Sequence, residues 1–364
     1  MPTESTLDAK PRAWVEVDLA ALQRNARALE RQARARLIPM VKADAYGLGA
    51  VPVVRALESL DPYAFGVSSI VEGVELRRAG ITRPIIVFTP TLPHDLLRLK
   101  QTGLTPTLAT AEGVARWHEL GGGAWHLAIE TGMNRAGVAW TEVGALRAAL
   151  QACPPEGAFT HFHSSEIDDG SVAQQEARFL AAIEALPARP AMLHAENSGA
   201  IMRREPSPWQ AVRPGVFLYG VGSGPTAALQ PEPVVHLRAR VLEVRDVVDG
   251  ESVSYDARFR AVGTRRIATV AVGYADGYRR SLSNVGRALV GDGIATVAGT
   301  VTMDMLMLDV TGLACAPDDV VTLLGRDGDR VLSAEAVAEV AGLSAYELLT
   351  GLRQRLLRIY SGGV

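Results

Sequence analysis

Lys42 closes a short apolar run, Leu37-Ile38-Pro39-Met40-Val41, and is followed by Ala43-Asp44-Ala45-Tyr46-Gly47. The run reads as a buried strand, which would hold the amine in a pocket rather than in bulk water. Desolvation lowers an amine's pKa, and the neutral amine is the form that attacks a carbonyl to give a Schiff base or accepts a proton. Taken alone, the segment fits a snorkelling lysine at a strand end better; the rest of the chain reverses that balance. Asn197-Ser198-Gly199 and Arg213-Pro214-Gly215-Val216 each offer small residues and exposed backbone N–H groups, with a hydroxyl at Ser198. Donors at close approach suit a phosphate, although Ser and Gly are also ordinary turn residues. A strand-end lysine together with such a cradle points to pyridoxal phosphate, whose aldehyde needs an amine and whose phosphate needs the donors.

These groups need elements to bring them together. From about residue 13 to 235, apolar runs alternate with helix-period segments, the pattern of βα units. Asp18 is placed to cap a helix reaching about Arg36. Eight candidate strands follow: Leu37–Val41, Ala64–Val67, Ile85–Phe88, Thr105–Leu108, Trp125–Ile129, Ala158–Phe162, Ala191–His194 and Ala211–Arg213. Eight units over roughly 220 residues suit an eight-stranded parallel α/β barrel, with a doubly wound open sheet as the alternative. A barrel gathers its active-site groups at the carboxyl ends of the strands. Lys42, Arg135, His161, Asn197, Ser198 and Arg213 all fall at or just beyond such ends.

After about residue 236 the texture changes to alternating strands between Gly and Asp turns, as in His236–Val247, Ile267–Val272, Ile294–Val297, Met305–Val310 and Val320–Leu324. Two helical stretches, Ala334–Ala341 and Ala345–Leu352, come near the end, the second capped by Ser344. The expected organisation is a cofactor-binding barrel over 11–235 and a β-rich domain over 236–364.

Composition narrows the function. The 364 residues are 48% hydrophobic and 21% charged, with a net charge of -3, so a nucleic-acid partner is not expected. Cys153 and Cys315 stand far apart with no partner motif, which argues against a disulfide framework and against a metal site. There is neither a signal-peptide pattern nor an apolar run of membrane length, so a cytoplasmic protein with no membrane partner is expected.

With these residues in view, the chain resembles the bacterial alanine racemases, fold-type III pyridoxal phosphate enzymes, from about Ala13 to Tyr360. Eight segments match in the family's order: 41–47, Glu130-Thr131-Gly132-Met133-Asn134-Arg135, Thr160-His161-Phe162, 194–198, 212–215, Val253-Ser254-Tyr255, 272–277 and Thr302-Met303-Asp304. The resemblance implies that Lys42 carries the cofactor and is the base on one face of the substrate Cα. Tyr255 is implied as the base on the other face, supplied by the second domain of the partner in a homodimer with shared sites. Two bases are needed because the proton leaves one face of a planar carbanion and returns on the other. The family's tyrosine is tuned through a histidine and an arginine, matched here by His161 and Arg213. Arg213 also matches the group facing the pyridine nitrogen; because it keeps its proton, it makes the ring a weaker electron sink. Tyr46, Ser198, Gly215, Val216 and Tyr346 match phosphate-binding positions, with Asn197 beside them. Arg135, Met303, Asp304 and Tyr274 match substrate-pocket positions.

The chain departs from the family pattern at several places. Ala128 stands where many members carry a carbamylated lysine that orients the arginine matched by Arg135, which leaves a bound anion, a water or Glu130 for that task. Thr302 replaces a frequent cysteine, Thr300 a frequent arginine and Leu48 a frequent histidine. The expected function is interconversion of L- and D-alanine, supplying D-alanine for peptidoglycan. The alternatives are a serine or broad-specificity racemase of the same fold, a related decarboxylase, against which Arg213 speaks, and a barrel-only cofactor-binding protein, against which the Tyr255 domain speaks.

Overall fold

The computed structural model describes residues 11–204, 206–222, 227 and 229–362. The first lobe is built on eight parallel strands in which each neighbours its chain successor: Arg36–Leu37, Phe65–Val67, Ile85–Val87, Thr105–Leu108, His126–Glu130, Gly157–Phe159, Met192–Asn197 and Ala211–Arg213. The sheet curls until its ends meet. Tyr63 N–H donates to Leu37 O, Gly66 N–H to Pro39 O and Val41 N–H to Gly66 O, at 2.8, 2.9 and 2.8 Å, and Met40 bridges to Gly66 in parallel. The barrel read from the apolar runs is therefore present and the open doubly wound sheet is not. Strands buried on both faces read as continuous apolar runs, and Ile85, Ile86 and Val87 are all buried.

Helices cover the barrel. The helix Leu19–Ala33 starts where Asp18 accepts from Ala21 N–H at 2.8 Å, and its Leu22, Ala26 and Leu29 stripe is fully buried. Its last residue is Ala33, three before the end expected from the sequence, and it is capped by Arg34 in a left-handed conformation.

The second lobe is a nine-stranded sheet in the order Arg330–Leu332, Val320–Asp327, Arg287–Val290, Gly293–Val297, Leu306–Asp309, Arg265–Val270, Val235–Val247, Ala13–Asp18 and Leu357–Ser361. Antiparallel pairing between Val235–Val247 and Val320–Asp327 closes part of it into a β-barrel. Ala13–Asp18 and Leu357–Ser361 run parallel at its edge, so the described residues pass from this lobe into the first and return. Helices Ala334–Ala341 and Ala345–Thr350 follow, the second boxed by Ser344 and Glu347. One continuous apolar core runs through both lobes. No described helix is long and apolar enough to cross a membrane.

Candidate active site

At the carboxyl end of the barrel the chain makes an unusual turn. Ala43, Asp44, Ala45 and Tyr46 all have left-handed backbones, with φ of 52°, 54°, 51° and 58°. For L-residues this costs roughly 1–2 kcal/mol each, so about 4–8 kcal/mol of strain is held next to Lys42. The turn sets Lys42 and Tyr46 one helical repeat apart, and both face one cavity of about 190 Å³. Neighbours stabilise it: Ala43 N–H donates to the Glu72 carboxylate at 2.8 Å, and Ala50 N–H to Asp44 Oδ1 at 2.6 Å. Burial first, and the Arg135 charge second, hold the Lys42 amine below its ordinary pKa, only partly offset by Glu72.

The same cavity is lined by every residue the resemblance assigned to cofactor binding: Tyr46, His161, Asn197, Ser198, Arg213, Gly215, Val216 and Tyr346, together with Arg135. Ser198 Oγ accepts from Gly215 N–H at 2.9 Å, and Asn197 caps the helix Ser198–Arg203. A Cβ on Gly215 would lie 2.6 Å from Tyr46 Oη, so the chain passes the tyrosine as closely as glycine allows. Burial raises the Tyr46 phenol well above its usual range and that of Tyr346 to about 12. Both hydroxyls stay protonated donors at neutral pH.

Arg213 organises the cavity floor. It is 3% exposed, and it donates to the carbonyls of His194, Thr160 and Ala195 at 2.6, 2.6 and 3.0 Å. Burial lowers its pKa to about 9, which leaves it charged at neutral pH. A guanidinium only donates, so its contacts fix imidazole tautomers. Nη2 lies 3.2 Å from His161 Nδ1, which must accept and keeps the His161 proton on Nε2. Nη1 lies 2.7 Å from His194 Nδ1, so His194 carries its proton on Nε2 and donates to His126 Nδ1 at 2.8 Å. His126 then holds its proton on Nε2, a buried atom with no partner. All three rings are neutral: burial, then Arg213, lowers His161 and His126 to about 3 and His194 well below its ordinary value.

Past Lys42 and Arg135 a second chamber of about 410 Å³ opens toward Thr107, Thr110 and Ala128. The Arg135 guanidinium has no hydrogen-bond partner among the described residues. Glu130, one group considered for orienting it, is used otherwise. Its carboxylate accepts from the backbone N–H of Gly132 at 2.5 Å and of Arg135 at 3.3 Å. Burial would raise that carboxyl, but the loop's N–H groups outweigh burial and pull it down. Gln175 braces the loop by donating to Thr131 Oγ1 and His161 O.

Tyr346 reaches the Lys42 cavity from the second lobe; Tyr255, Tyr274, Met303 and Asp304 do not line it. Tyr255 is 68% exposed on the turn between Ser252–Val253 and Phe259–Arg260, beside a separate open hollow. Its carbonyl accepts from Thr300 Oγ1 at 3.1 Å, and Ser254 Oγ donates to Thr300 O. Met303 and Tyr274 are exposed as well, on two loops joined by Tyr274 N–H to Thr302 O at 3.0 Å. Arg355 ties those loops by pairing with Asp304 at 2.8 Å and Asp276 at 2.7 Å.

Sequence reasoning missed His126 and His194 as members of the site, and also Phe159, which stacks on His194 at 5.2 Å and lies beneath the Arg213 guanidinium. The available signal was a polar ring inside an apolar strand run, a position that must face the barrel interior and needs a partner there.

Two family models match the chain: alanine racemase, N-terminal domain, over residues 17–223, and alanine racemase, C-terminal domain, over 234–360. An alanine racemase of Geobacter sp. (strain M21) is 40% identical across 98% of this chain and all of that protein. One of Carboxydothermus hydrogenoformans is 36% identical across 95% of this chain and 99% of its own. Among solved structures, alanine racemase from Bacillus anthracis with bound L-Ala-P superposes with a TM-score of 0.88 at 30% identity, covering 97% of this chain and 96% of that one. Alanine racemase from Bartonella henselae with covalently bound pyridoxal phosphate gives 0.89 at 26% identity, covering 97% and 100%.

Proposed function

The chain belongs to the alanine racemase family of isomerases, and from that premise we propose that it interconverts L- and D-alanine with pyridoxal phosphate, as a homodimer whose two subunits share each site. The residues fit the cofactor. Lys42 offers an amine biased toward its neutral form, Tyr46 and Tyr346 keep their protons as donors, and Gly215 leaves room for close approach beside Ser198. Glu166 lines the same cavity and is exposed to water. Bound there, the cofactor supplies an electron sink that acidifies the substrate Cα proton.

The chain's own residues do the rest. Lys42 would take or return the proton on one face, and Tyr255 of a second copy on the other. His161 keeps its proton on Nε2 because Arg213 holds Nδ1 as an acceptor, so it can donate to a phenolate oxygen and stabilise that base. Arg213 stays charged and presents a donor rather than a carboxylate to the ring, which restrains electron withdrawal to what proton transfer needs. The observation that carries this reading is the distribution of side chains. The residues proposed to hold the cofactor line one cavity within one chain, while Tyr255, Met303 and Asp304 stand exposed away from it, where a second copy could use them. D-alanine for peptidoglycan is the role proposed for the product, and the cytoplasm its place.

The chamber beside Ala128 favours a second reading, a wider substrate range that includes serine. Chiral chromatography of L-alanine incubated with the protein and pyridoxal phosphate, with L-serine, L-lysine and L-glutamate alongside, separates the two. Preferential formation of D-alanine supports the first reading, and rapid D-serine formation with little D-alanine supports the second. Absence of any D-isomer overturns both.

A further inference from the structure

The turn that carries Lys42 is held from the second lobe. On the strand Leu357–Ser361, the Arg358 guanidinium donates from Nε and Nη2 to Gly47 O at 3.2 and 2.9 Å. Its remaining N–H groups go to the carbonyls of Leu352, Arg353 and Leu356. Two residues on, the Tyr360 hydroxyl donates to Leu48 O at 3.0 Å. Space is tight here: a Cβ on Gly47 would lie 2.9 Å from Leu349 O, and one on Gly49 would lie 2.1 Å from Tyr360 Oη. The turn's own sequence does not account for its hand, because Ala43, Asp44, Ala45 and Tyr46 would relax to right-handed forms. Such a segment persists only where its surroundings over-determine it. Both carbonyls at the exit of the turn are fixed by side chains of one strand, which itself lies in the second lobe's sheet beside Ala13–Asp18.

We propose that Arg358 and Tyr360 are positioning residues for Lys42, clamping the left-handed turn from the second lobe so that the amine and the Tyr46 hydroxyl face the same cavity. The proposal rests on Lys42 being the cofactor lysine. With the clamp released, residues 43–46 relax, the amine loses its aim and water reaches it.

The test is hydrogen exchange on the full-length protein loaded with pyridoxal 5'-phosphate, comparing wild type with Arg358→Met and Tyr360→Phe. The reporters are the amides of Ala45, Leu48 and Gly49, which bond to Val41 O and Asp44 O within the turn. Their exchange should rise about tenfold in Arg358→Met and about threefold in Tyr360→Phe, while the barrel amides of Ile86 and Val87 stay at wild-type rates. A second readout is the pH dependence of Lys42 capturing added pyridoxal 5'-phosphate, whose midpoint should move upward as the amine regains water. Alanine turnover normalised to bound cofactor, which corrects for any unfolded or unloaded protein, should lose kcat with KM little changed. Tyr360→Phe removes one oxygen and keeps the ring, so it decides the matter even if Arg358→Met does not fold. Wild-type exchange at all three amides in Tyr360→Phe, or in a folded Arg358→Met, would overturn the clamp. Failure of the wild-type protein to form D-alanine is a separate result: it overturns the racemase reading, and the exchange comparison still decides whether the clamp exists.

Discussion

Replacing His126 with asparagine removes a titrating ring from the barrel interior but keeps an oxygen to accept from His194 Nε2–H. His126 is 1% exposed, and burial, with Arg213 second, lowers its pKa to about 3 from an ordinary 6.5. The unfolded ring therefore takes a proton as the pH falls below 6.5, whereas the folded ring stays neutral until about 3. The stability that depends on neutral His126 is complete above pH 6.5 and is lost as the pH falls toward 3. At about pH 5 the gap is about 1.5 units, or ~2 kcal/mol. Urea unfolding at about pH 7.5 and about pH 5, at one protein concentration, measures it. Wild type should lose about 2 kcal/mol more than His126→Asn between those conditions, and His194 and the carboxylates cancel in the difference. Equal losses would refute the dry, neutral ring inferred for His126, because it would then be protonated, or reached by water, in the folded protein at about pH 5.

Two further substitutions probe the cavity. Lys42→Ala should abolish the visible absorbance of lysine-linked cofactor; persistence of the band would remove Lys42 from its role. Gly215→Ala drives a methyl against Tyr46 Oη, and that ring packs 4.6 Å from Tyr219 and cannot step aside. Spectrophotometric titration should show cofactor affinity weakened about tenfold, the worth of one good hydrogen bond; unchanged affinity would show that Tyr46 does not serve the phosphate.

Much of this architecture was legible in the sequence because its signals are local. Buried parallel strands read as apolar runs, and Ile85–Val87 and Ala211–Arg213 lie where those runs predict. Lys42, Arg135, His161, Asn197, Ser198 and Arg213 were found because polar side chains gathered at barrel strand ends are hard to explain as core filling, whereas Tyr46 and Tyr346 came from the family resemblance alone; all of them line the Lys42 cavity. What could not be read depends on distant partners. Ala13–Asp18 looks like the start of the barrel but pairs with Val235–Val247, a contact made more than two hundred positions away. Arg287–Val290 is apolar but only four residues long, and the edge strand Leu357–Ser361 is largely exposed, so neither announces itself as a strand. The left-handed turn after Lys42 runs against the preference of its own residues, and its hand is set by contacts from Glu72, Arg358 and Tyr360.

The measurement closest to the central claim mixes two inactive variants, Lys42→Ala and Tyr255→Phe, under conditions of proven subunit exchange. Each mixed dimer would hold one intact site, with Lys42 from one copy and Tyr255 from the other. An equal mixture should therefore recover about a quarter of wild-type alanine racemisation. Mixed dimers that stay inactive would contradict a site built by two copies of this chain.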